Sequence, residues 1–299
     1  MSKRMIGDVA IDQVVELALD PAFAADQLLP DFNDEVVAAN RALLSPRYMN
    51  ADSKLLVMSI HSWIVRSGDN VVLIDTCCGN QKPRPDFPLA NMLDVPYLER
   101  LEAAGVRAQD VDYVLCTHLH VDHCGWNTQL RNGKWVPTFP NAKYIFSQTE
   151  YDQWNPQDPT YPKAGMNPTS GVNAGVFEDS VLPIVEHGLA QMVTGRHAID
   201  RNLSIEPAPG HTFGSIVIKL DSKSDKGLFC GDVMHHPIQV LRPDWNSAFC
   251  DVPALARHTR RRVLGYCADE GAVLMPAHFA APHAVRVQRA GENFTFQPA

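Results

Sequence analysis

The sequence lacks the features of membrane-spanning, fibrous and disulfide-rich proteins. No stretch of its 299 residues approaches the roughly 18–20 consecutive apolar residues that a transmembrane helix needs. No CxxC pair occurs among the 7 cysteines, whose irregular spacing argues against a disulfide framework and excludes cysteine-rich zinc fingers. Neither a Gly-X-Y period nor a heptad run is present. With 45% hydrophobic residues, the chain is that of a globular protein with a sizeable core.

Basic residues are in deficit. The 34 acidic residues outnumber the 26 lysines and arginines, and the net charge of −8 disfavours binding to nucleic acid or to an anionic membrane. The local concentration of Arg257, Arg260, Arg261 and Arg262 is expected to form the solvated face of a helix. The N-terminal sequence MSKRMIGDVAIDQVV contains no apolar signal core, and the cysteine pattern fits a reducing compartment. We therefore expect a cytoplasmic protein.

Apolar runs and turn residues predict strands mixed with helices. Helices are expected at 96–105 and 251–271, and the proline-rich stretch 155–172 is expected to be a long loop or lid. Strands are expected at 54–60, 62–65, 71–75, 111–116, 142–146, 203–207, 215–220, 227–232, 272–276, 285–288 and 293–297. Since no polar linker divides the chain, we expect an N-terminal arm, 1–53, packed on a single α/β domain, 54–299, with two sheets.

A dense group of potential metal ligands follows the predicted buried strand 111–116. His118, His120, Asp122 and His123 fall within six positions of the sequence HLHVDH. A loop leaving a sheet edge can direct such side chains at one point, whereas adjacent positions on a helix diverge by about 100°. Imidazole and carboxylate ligands without thiolate suit zinc or a similar divalent ion.

Three later segments place one ligand-type residue at the end of an apolar strand. They contain His211, Asp232 and His278. Functional residues often occupy loops at the ends of strands, where a rigid scaffold positions them. A single histidine or aspartate at such a place is more often structural. Five histidines and two aspartates in four such segments predict a metal site.

The HxHxDH motif and the three downstream residues resemble the metallo-β-lactamase-fold hydrolases over about residues 54–285. The resemblance implies a four-layer αββα sandwich with a dinuclear metal site between the two sheet edges. It implies one ion held by His118, His120 and His211, a second held by Asp122, His123 and His278, and a bridge between them from Asp232. Asp75 matches the family's early aspartate, which braces the motif loop.

Departures from individual subfamilies narrow the implied activity. Asp232 stands where the commonest class of true β-lactamases has a cysteine ligand, and His120 stands where flavodiiron oxidoreductases have glutamate. The resemblance therefore implies a hydrolase that uses a metal-bridging hydroxide to open lactones or cleave carboxylic esters. One alternative is a phosphotriesterase of the methyl parathion hydrolase type, whose branch is favoured by the long interval between His123 and His211. A further alternative is an iron-dependent oxidoreductase on the same fold.

Asp122 and Asp232 are the candidate catalytic residues. Asp122 is placed to accept a proton from the attacking water, and Asp232 is the bridging carboxylate. The expected cofactors are two divalent ions, zinc first, with iron, cobalt or manganese as alternatives because the same ligands accept several metals. His235 and His236 are expected to hydrogen-bond to Asp232 or to relay a proton, although a purely structural role fits them equally well.

Substrate choice is expected to come from apolar walls. The candidate substrate-binding residues are Phe87, Trp126, Trp154, Tyr161 and Met166, although each of them could equally fill the core. Their character favours a small uncharged or hydrophobic substrate. We expect no nucleic-acid or membrane partner, and a homodimer is possible.

Overall fold

The structure of the protein is a computed structural model and describes residues 3–158 and 171–299. The strands are β1 (Arg4–Ile6), β2 (Val9–Leu19), β3 (Met49–Asn50), β4 (Leu55–Leu56), β5 (Met58–Ser67), β6 (Asn70–Ile74), β7 (Tyr113–Leu115), β8 (Thr128–Arg131), β9 (Lys134–Pro137), β10 (Lys143–Ser147), β11 (Ala190–Val193), β12 (His197–Ala198), β13 (Leu203–Pro207), β14 (Ile216–Ser222), β15 (Asp225–Gly231), β16 (Val273–Pro276), β17 (Val285–Ala290) and β18 (Asn293–Pro298). The α-helices are α1 (Ala25–Leu28), α2 (Asp34–Ala39), α3 (Arg41–Leu44), α4 (Tyr97–Ala103), α5 (Gln148–Trp154), α6 (Leu182–Glu186), α7 (Ile238–Leu241) and α8 (Pro253–Glu270). Short 3₁₀ helices span Pro88–Ala90, Ala108–Asp110 and Gly125–Asn127, and a π-helix spans Phe177–Val181.

Two seven-stranded sheets carry the fold. The first has the order β1-β2-β5-β6-β7-β10-β11 and the second has the order β12-β13-β14-β15-β16-β17-β18. Strands β6, β7 and β10 run parallel, so their carboxyl ends meet at one edge of the first sheet. In the second sheet, β13 and β15 are both antiparallel to β14, and β16 is parallel to β15. The carboxyl ends of β13, β15 and β16 therefore also share one edge.

Apolar contacts arrange the two sheets and the helices in four layers. Ile11, Leu115, Ile218 and Phe229 belong to a buried cluster that both sheets share. The outer face of the first sheet packs on α4, α5 and α6, and that of the second packs on α7 and α8. The expected αββα sandwich is confirmed. Within the described residues, the structure has no helix that is both long and apolar enough to cross a membrane.

The described part of the N-terminal segment, residues 3–53, supplies strands to the first sheet and apolar residues to the core of the second. Strand β2 pairs with β5 from Ala10 opposite Arg66 to Leu19 opposite Met58. Its strand pattern is obscured in the sequence because Asp12 and Glu16 are buried within it. The residues after β2 cross to the outer side of the second sheet, where they join the core around α8.

Helix α8 departs from one expectation. Arg260 is fully buried rather than solvated. Its guanidinium donates to the carbonyl oxygens of Val233 at 2.8 Å, Pro243 at 2.8 Å and Trp245 at 2.9 Å. The prediction of a fully wet arginine face is wrong at this position, because the loop after β15 folds over α8 and offers backbone acceptors. Arg260 thereby ties α8 to the turn that follows Asp232.

Candidate metal centre

The two sheet edges bring the seven predicted ligands together. Residues 118–123 follow β7, and His211, Asp232 and His278 follow β13, β15 and β16. Their ring nitrogens and carboxylate oxygens form overlapping groups whose members lie within 4.8 Å of one another. Because parallel strands end at a common edge, four separate segments reach one place without a long excursion of any loop.

Three histidines form the first group. His118 Nε2 lies 3.0 Å from His120 Nδ1, and His211 Nε2 lies 3.1 Å from His118 Nε2 and 3.0 Å from His120 Nδ1. Since Zn–N bonds are about 2.0–2.1 Å long, three nitrogens at this spacing can share one ion. His118 and His211 are buried, whereas His120 is half-buried and lines the cavity described below.

Asp122, His123 and His278 form the second group, and Asp232 joins it to the first. Asp232 Oδ2 lies 3.3 Å from His211 Nε2, whereas Oδ1 lies 3.3 Å from His123 Nε2 and 3.1 Å from His278 Nε2. Asp122 lies 3.5 Å from the ring nitrogens of both His123 and His278. The two oxygens of one carboxylate therefore face different ligand groups, as a bridging ligand requires.

Two observations show that the residues fit divalent ions. His123 Nε2 and Asp232 Oδ1 are buried and have no hydrogen-bond partner of suitable geometry among the described residues, although they lie 3.3 Å apart. A buried polar atom without a partner is costly, and a shared cation would satisfy both atoms. The donors are imidazoles and carboxylates, the set that suits zinc and related ions.

The pKa values of the histidines differ between the two groups. Burial, reinforced by neighbouring imidazoles, lowers the pKa of His118 well below the ordinary value, and burial lowers the pKa of His120 to about 4. These rings are neutral at pH 7, which is the form that binds a metal. Burial also opposes charge on His123 and His278, but nearby carboxylates, led by Asp232, outweigh it and raise the pKa of both. The second group therefore favours a positive charge, which a divalent ion would supply.

Asp75 braces the ligand loop from below. Its Oδ1 accepts hydrogen bonds from Thr117 N at 2.7 Å and Thr117 Oγ1 at 3.0 Å, and its Oδ2 accepts from His123 Nδ1 at 2.9 Å. With Nδ1 donating to Asp75, His123 keeps Nε2 directed at the centre. His278 is oriented similarly, because its Nδ1 donates to Ser59 O at 3.1 Å. These contacts are those of the bracing residue that the resemblance implies at Asp75.

Glycines permit the close approach of two ligand loops. Gly231 precedes Asp232, has φ +48°, and a Cβ there would lie 2.5 Å from Thr117 Oγ1. Gly210 precedes His211, has φ +138°, and a Cβ there would lie 2.3 Å from Ala256 N. Any larger residue would move the ligand that follows.

Glu150 is a positioning residue that the sequence analysis missed. Its carboxylate is 1% exposed and accepts four hydrogen bonds. Oε1 accepts from Leu119 N at 3.0 Å and Trp154 Nε1 at 2.7 Å, and Oε2 accepts from Thr212 Oγ1 at 2.7 Å and Gly214 N at 3.0 Å. Glu150 thus ties the loop of His118 and His120 to the loop of His211. Burial raises the pKa of Glu150, and these donors oppose the rise.

His235 and His236 lie in different surroundings. His235 Nε2 is 3.1 Å from Asp232 Oδ2, and the ring is buried against the centre. His236 instead donates from Nε2 to Tyr48 O at 2.7 Å and accepts from Ile238 N at Nδ1. The expected contact between His236 and Asp232 is absent, because both of its ring nitrogens are used in holding the N-terminal segment against α7.

An apolar cavity opens onto the metal centre. Its volume is about 60 Å³. Its wall includes Phe87 and Trp154, as the sequence predicts, and also contains residues that the sequence analysis missed. Among these are Leu19, Phe23 and Leu28 of the N-terminal segment, together with Phe249 and Asn173. These positions carry no local signal in the sequence, because only the three-dimensional course of the chain brings them to the cavity.

The remaining predicted wall residues lie elsewhere. Trp126 does not line this cavity: its ring stacks on Tyr97 at 5.0 Å between centroids, and its Nε1 donates to Glu16 Oε1 at 2.6 Å. The turn at Gly125 directs it away from the metal centre and under the first sheet, so its prediction as a substrate contact is corrected. Tyr161 and Met166 lie outside the described residues.

The chain matches a known family and curated sequences. The sequence model of the Metallo-beta-lactamase superfamily matches residues 56–278. The N-acyl homoserine lactonase AiiB of Agrobacterium fabrum is 26% identical over 103 residues. That match covers 31% of this chain and 37% of the lactonase, so the chain matches little more than a third of its curated relative.

Solved structures resemble the whole chain. A structure described as AidC, a dizinc quorum-quenching lactonase in complex with a product, superposes with a TM-score of 0.80 at 20% identity and covers 100% of this chain and 97% of its own. The hydrolase AbOPH, described as in the beta lactamase superfamily, superposes with a TM-score of 0.78 at 23% identity and covers 99% and 96%. At these identities the likeness shows the fold.

Proposed function

Because the chain belongs to the metallo-beta-lactamase superfamily, we propose that it is a dinuclear metal-dependent hydrolase that opens lactones or cleaves carboxylic esters. The observation that carries the proposal is Asp232, whose two oxygens face two separate ligand groups at the floor of an apolar cavity. The lactonase relatives support lactones as the first substrate class to test. Zinc is the first metal to test, because the neighbour described as dizinc shares the fold.

The candidate residues would have different roles in the reaction. His118, His120 and His211 would hold one ion, and Asp122, His123 and His278 would hold the other. Bound divalent ions lower the pKa of water towards 7 and polarise a carbonyl oxygen. The Asp122 side chain is 18% exposed and lines the cavity, so it can accept the proton that the attacking water releases. The apolar walls exclude bulk water and bind the apolar part of the substrate.

Phosphotriester hydrolysis is the second candidate. In the described wall, the ionisable side chains all belong to the metal centre or, in the case of His235, contact it. A neutral organophosphate would meet no unpaired charge in such a cavity. The same walls would accept a neutral lactone, so only a measurement of which substrate is hydrolysed distinguishes the two functions.

The test is a parallel assay of metal-reconstituted protein with a lactone series, aryl esters and a paraoxon-type phosphotriester. We expect lactone or ester turnover that disappears in Asp122→Asn and Asp232→Ala. Asp221→Ala, which changes an exposed aspartate on β14, is the matched control and should retain activity. Turnover of the phosphotriester alone would favour the second candidate, and full lactone turnover by Asp232→Ala would refute the proposal. Oxygen consumption by an iron-loaded preparation would point instead to the oxidoreductase alternative.

A further inference from the structure

Glu16 is a buried carboxylate of the N-terminal segment that the proposed reaction does not use. It lies on β2 and is 2% exposed. The pairing of β2 with β5 shifts register between Val15 and Leu17, so Glu16 is the extra residue of a β-bulge. Arg100 of α4 fixes this bulge by donating from Nη1 to the carbonyl oxygens of Val15 at 2.8 Å and Glu16 at 2.7 Å. A bulge redirects the side chain that it carries, and bulges are enriched beside active sites.

Three N–H groups from two segments converge on the Glu16 carboxylate. Oε2 accepts from Cys78 N at 2.8 Å, and Oε1 accepts from Gly79 N at 3.1 Å and from Trp126 Nε1 at 2.6 Å. Successive backbone N–H groups of a turn form a concave site for an anion. Here the anion belongs to the protein itself, and its carboxylate joins the turn 75–79 to the short helix that contains Trp126.

Both segments adjoin a ligand of the second group. The turn begins at Asp75, whose Oδ2 accepts from Nδ1 of the ligand His123 at 2.9 Å. The short helix begins at Gly125, two residues after that ligand. Backbone hydrogen bonds join the two segments, since Thr76 N donates to His123 O at 2.8 Å and Gly125 N donates to Cys77 O at 2.7 Å. The position of His123 therefore depends on the position of the turn.

The backbone of the turn is strained and packed without slack. Asp75 has φ +56° and Cys77 has φ +50°, in a region that residues with a Cβ adopt only at a cost in free energy. A Cβ at Gly125 would lie 1.8 Å from Cys78 O, so the turn and the short helix are in close contact. Strained conformations persist where the surroundings hold them. Glu16 supplies such a hold, because it binds the N–H groups at the end of the turn.

Glu16 acts on the second ligand group, whereas Glu150 acts on the first. His123 depends on the turn for its backbone contact and for the partner of its Nδ1. The turn also reaches the first group, because Asp75 accepts from Thr117, but the loop of that group keeps its separate hydrogen bond to Glu150. Displacement of the turn should therefore weaken binding of the second ion more than binding of the first.

We infer that Glu16 is a positioning residue for the second ion, because its carboxylate holds the strained turn that orients His123. The inference rests on the proposed function for the dinuclear centre, but the quantity that it predicts is metal affinity rather than turnover. It gives the N-terminal segment a role in the metal centre in addition to its role in the first sheet.

The test is a stepwise zinc titration of Glu16→Gln, by competition with a chromophoric chelator, under conditions where the variant is fully folded. Glutamine keeps the shape of the side chain but presents its NH₂ group to Cys78 N or to the two donors at Oε1, so at least one N–H loses its acceptor. Partners that orient ligands contribute about 10–100-fold to metal affinity, so we expect one ion to bind more weakly by that factor and the other to keep its affinity. NMR of the cadmium-substituted protein identifies the weakened ion, because one donor set has three imidazoles and the other has two.

Asp12→Asn is the matched control, because Asp12 is a buried carboxylate of the same strand whose Oδ1 accepts from the neighbouring Gln13 N at 2.9 Å. Whatever stability this variant loses, both of its zinc affinities should match those of the wild type. Trp126→Phe keeps an aromatic ring and removes one donor, so it should weaken the same ion by a smaller factor. This second variant decides the question if Glu16→Gln does not fold.

Unchanged zinc affinities in these variants, or equal weakening of both ions, would overturn the inference. Selective weakening of the first ion would overturn it as well. Selective weakening of the second ion, in a protein whose wild type hydrolyses neither lactones nor esters, would support the positioning role and refute the proposed function alone.

Discussion

Replacement of Glu150 by glutamine should weaken the fold and the metal centre together. The change keeps the shape of the side chain and replaces one carboxylate oxygen with an NH₂ group. If that group faces Thr212, the hydroxyl can accept from it, but Gly214 N loses its acceptor. If it faces the other way, Leu119 N and Trp154 Nε1 both lose theirs.

The first arrangement costs less and sets the expected magnitude. One buried N–H without a partner costs about 1–3 kcal/mol, and loss of the charge on the remaining bonds adds to it. We expect the free energy of unfolding to fall by about 2–4 kcal/mol, a large share of the ~5–15 kcal/mol typical of a domain. Urea unfolding of the metal-free protein measures it.

A measurement of zinc affinity distinguishes a role of Glu150 in positioning the metal ligands from a general loss of stability. Partners that orient ligands typically contribute about 10–100-fold to metal affinity, so zinc transfer to a chromophoric chelator should be favoured by that factor in Glu150→Gln. The measurement is made where the variant is fully folded. Glu178→Gln, at an exposed glutamate, is the control and should match the wild type. A destabilised variant with unchanged zinc affinity would refute the positioning role, and unchanged stability would refute the hydrogen-bond argument itself.

Three further outcomes are expected. Gly231→Ala should lower the zinc occupancy and reduce the free energy of unfolding by about 1–3 kcal/mol, because Gly231 has φ +48° and the added Cβ would clash with Thr117. Unchanged zinc occupancy, measured by metal analysis, would contradict this. Burial lowers the pKa of Lys82 to about 8 despite its ion pair with Asp179. Between pH 8 and the higher pKa of this lysine in the unfolded chain, the unfolded state binds more protons than the folded state, so the free energy of unfolding rises with pH. Relative to Lys82→Met, the wild type should therefore gain about 2 kcal/mol in urea unfolding between pH 7.5 and 9.5, and a constant difference would oppose the assignment. Phe23→Ala should raise KM more for long-chain than for short-chain lactones, because Phe23 lines the cavity; an equal change for both would place it outside the binding surface.

The ligand set was accessible from sequence because its signal is local. Each candidate ligand follows an apolar strand directly, the resemblance to the metallo-β-lactamase-fold hydrolases implies that they meet, and the structure brings His118 together with His211, Asp232 and His278. The mixture of strands and helices predicts an α/β fold with two sheets, the resemblance implies that helices cover both sheets in four layers, and the structure confirms both expectations.

Residues that act across the fold were not accessible. Glu150 sits in the sequence QTEYDQW, where nothing distinguishes it from an exposed helical glutamate; its burial arises because α5 packs over two ligand loops. Asp12 and Glu16 similarly interrupt the apolar pattern of β2 and hide a strand. For Trp126 the local sequence was misleading. Its position beside the motif suggested that it lines the cavity, but the turn at Gly125 directs its side chain to Glu16 instead. Such positions depend on which segments meet, and no single window of sequence contains that information.

The most direct test of the metal centre is the metal content of purified protein, measured by plasma mass spectrometry alongside lactone hydrolysis on the same samples. The account predicts two divalent ions per chain in the wild type and loss of both metal and turnover in Asp232→Ala. A wild type that is fully active with no bound divalent metal, or an Asp232→Ala variant that keeps two ions and full turnover, would contradict it.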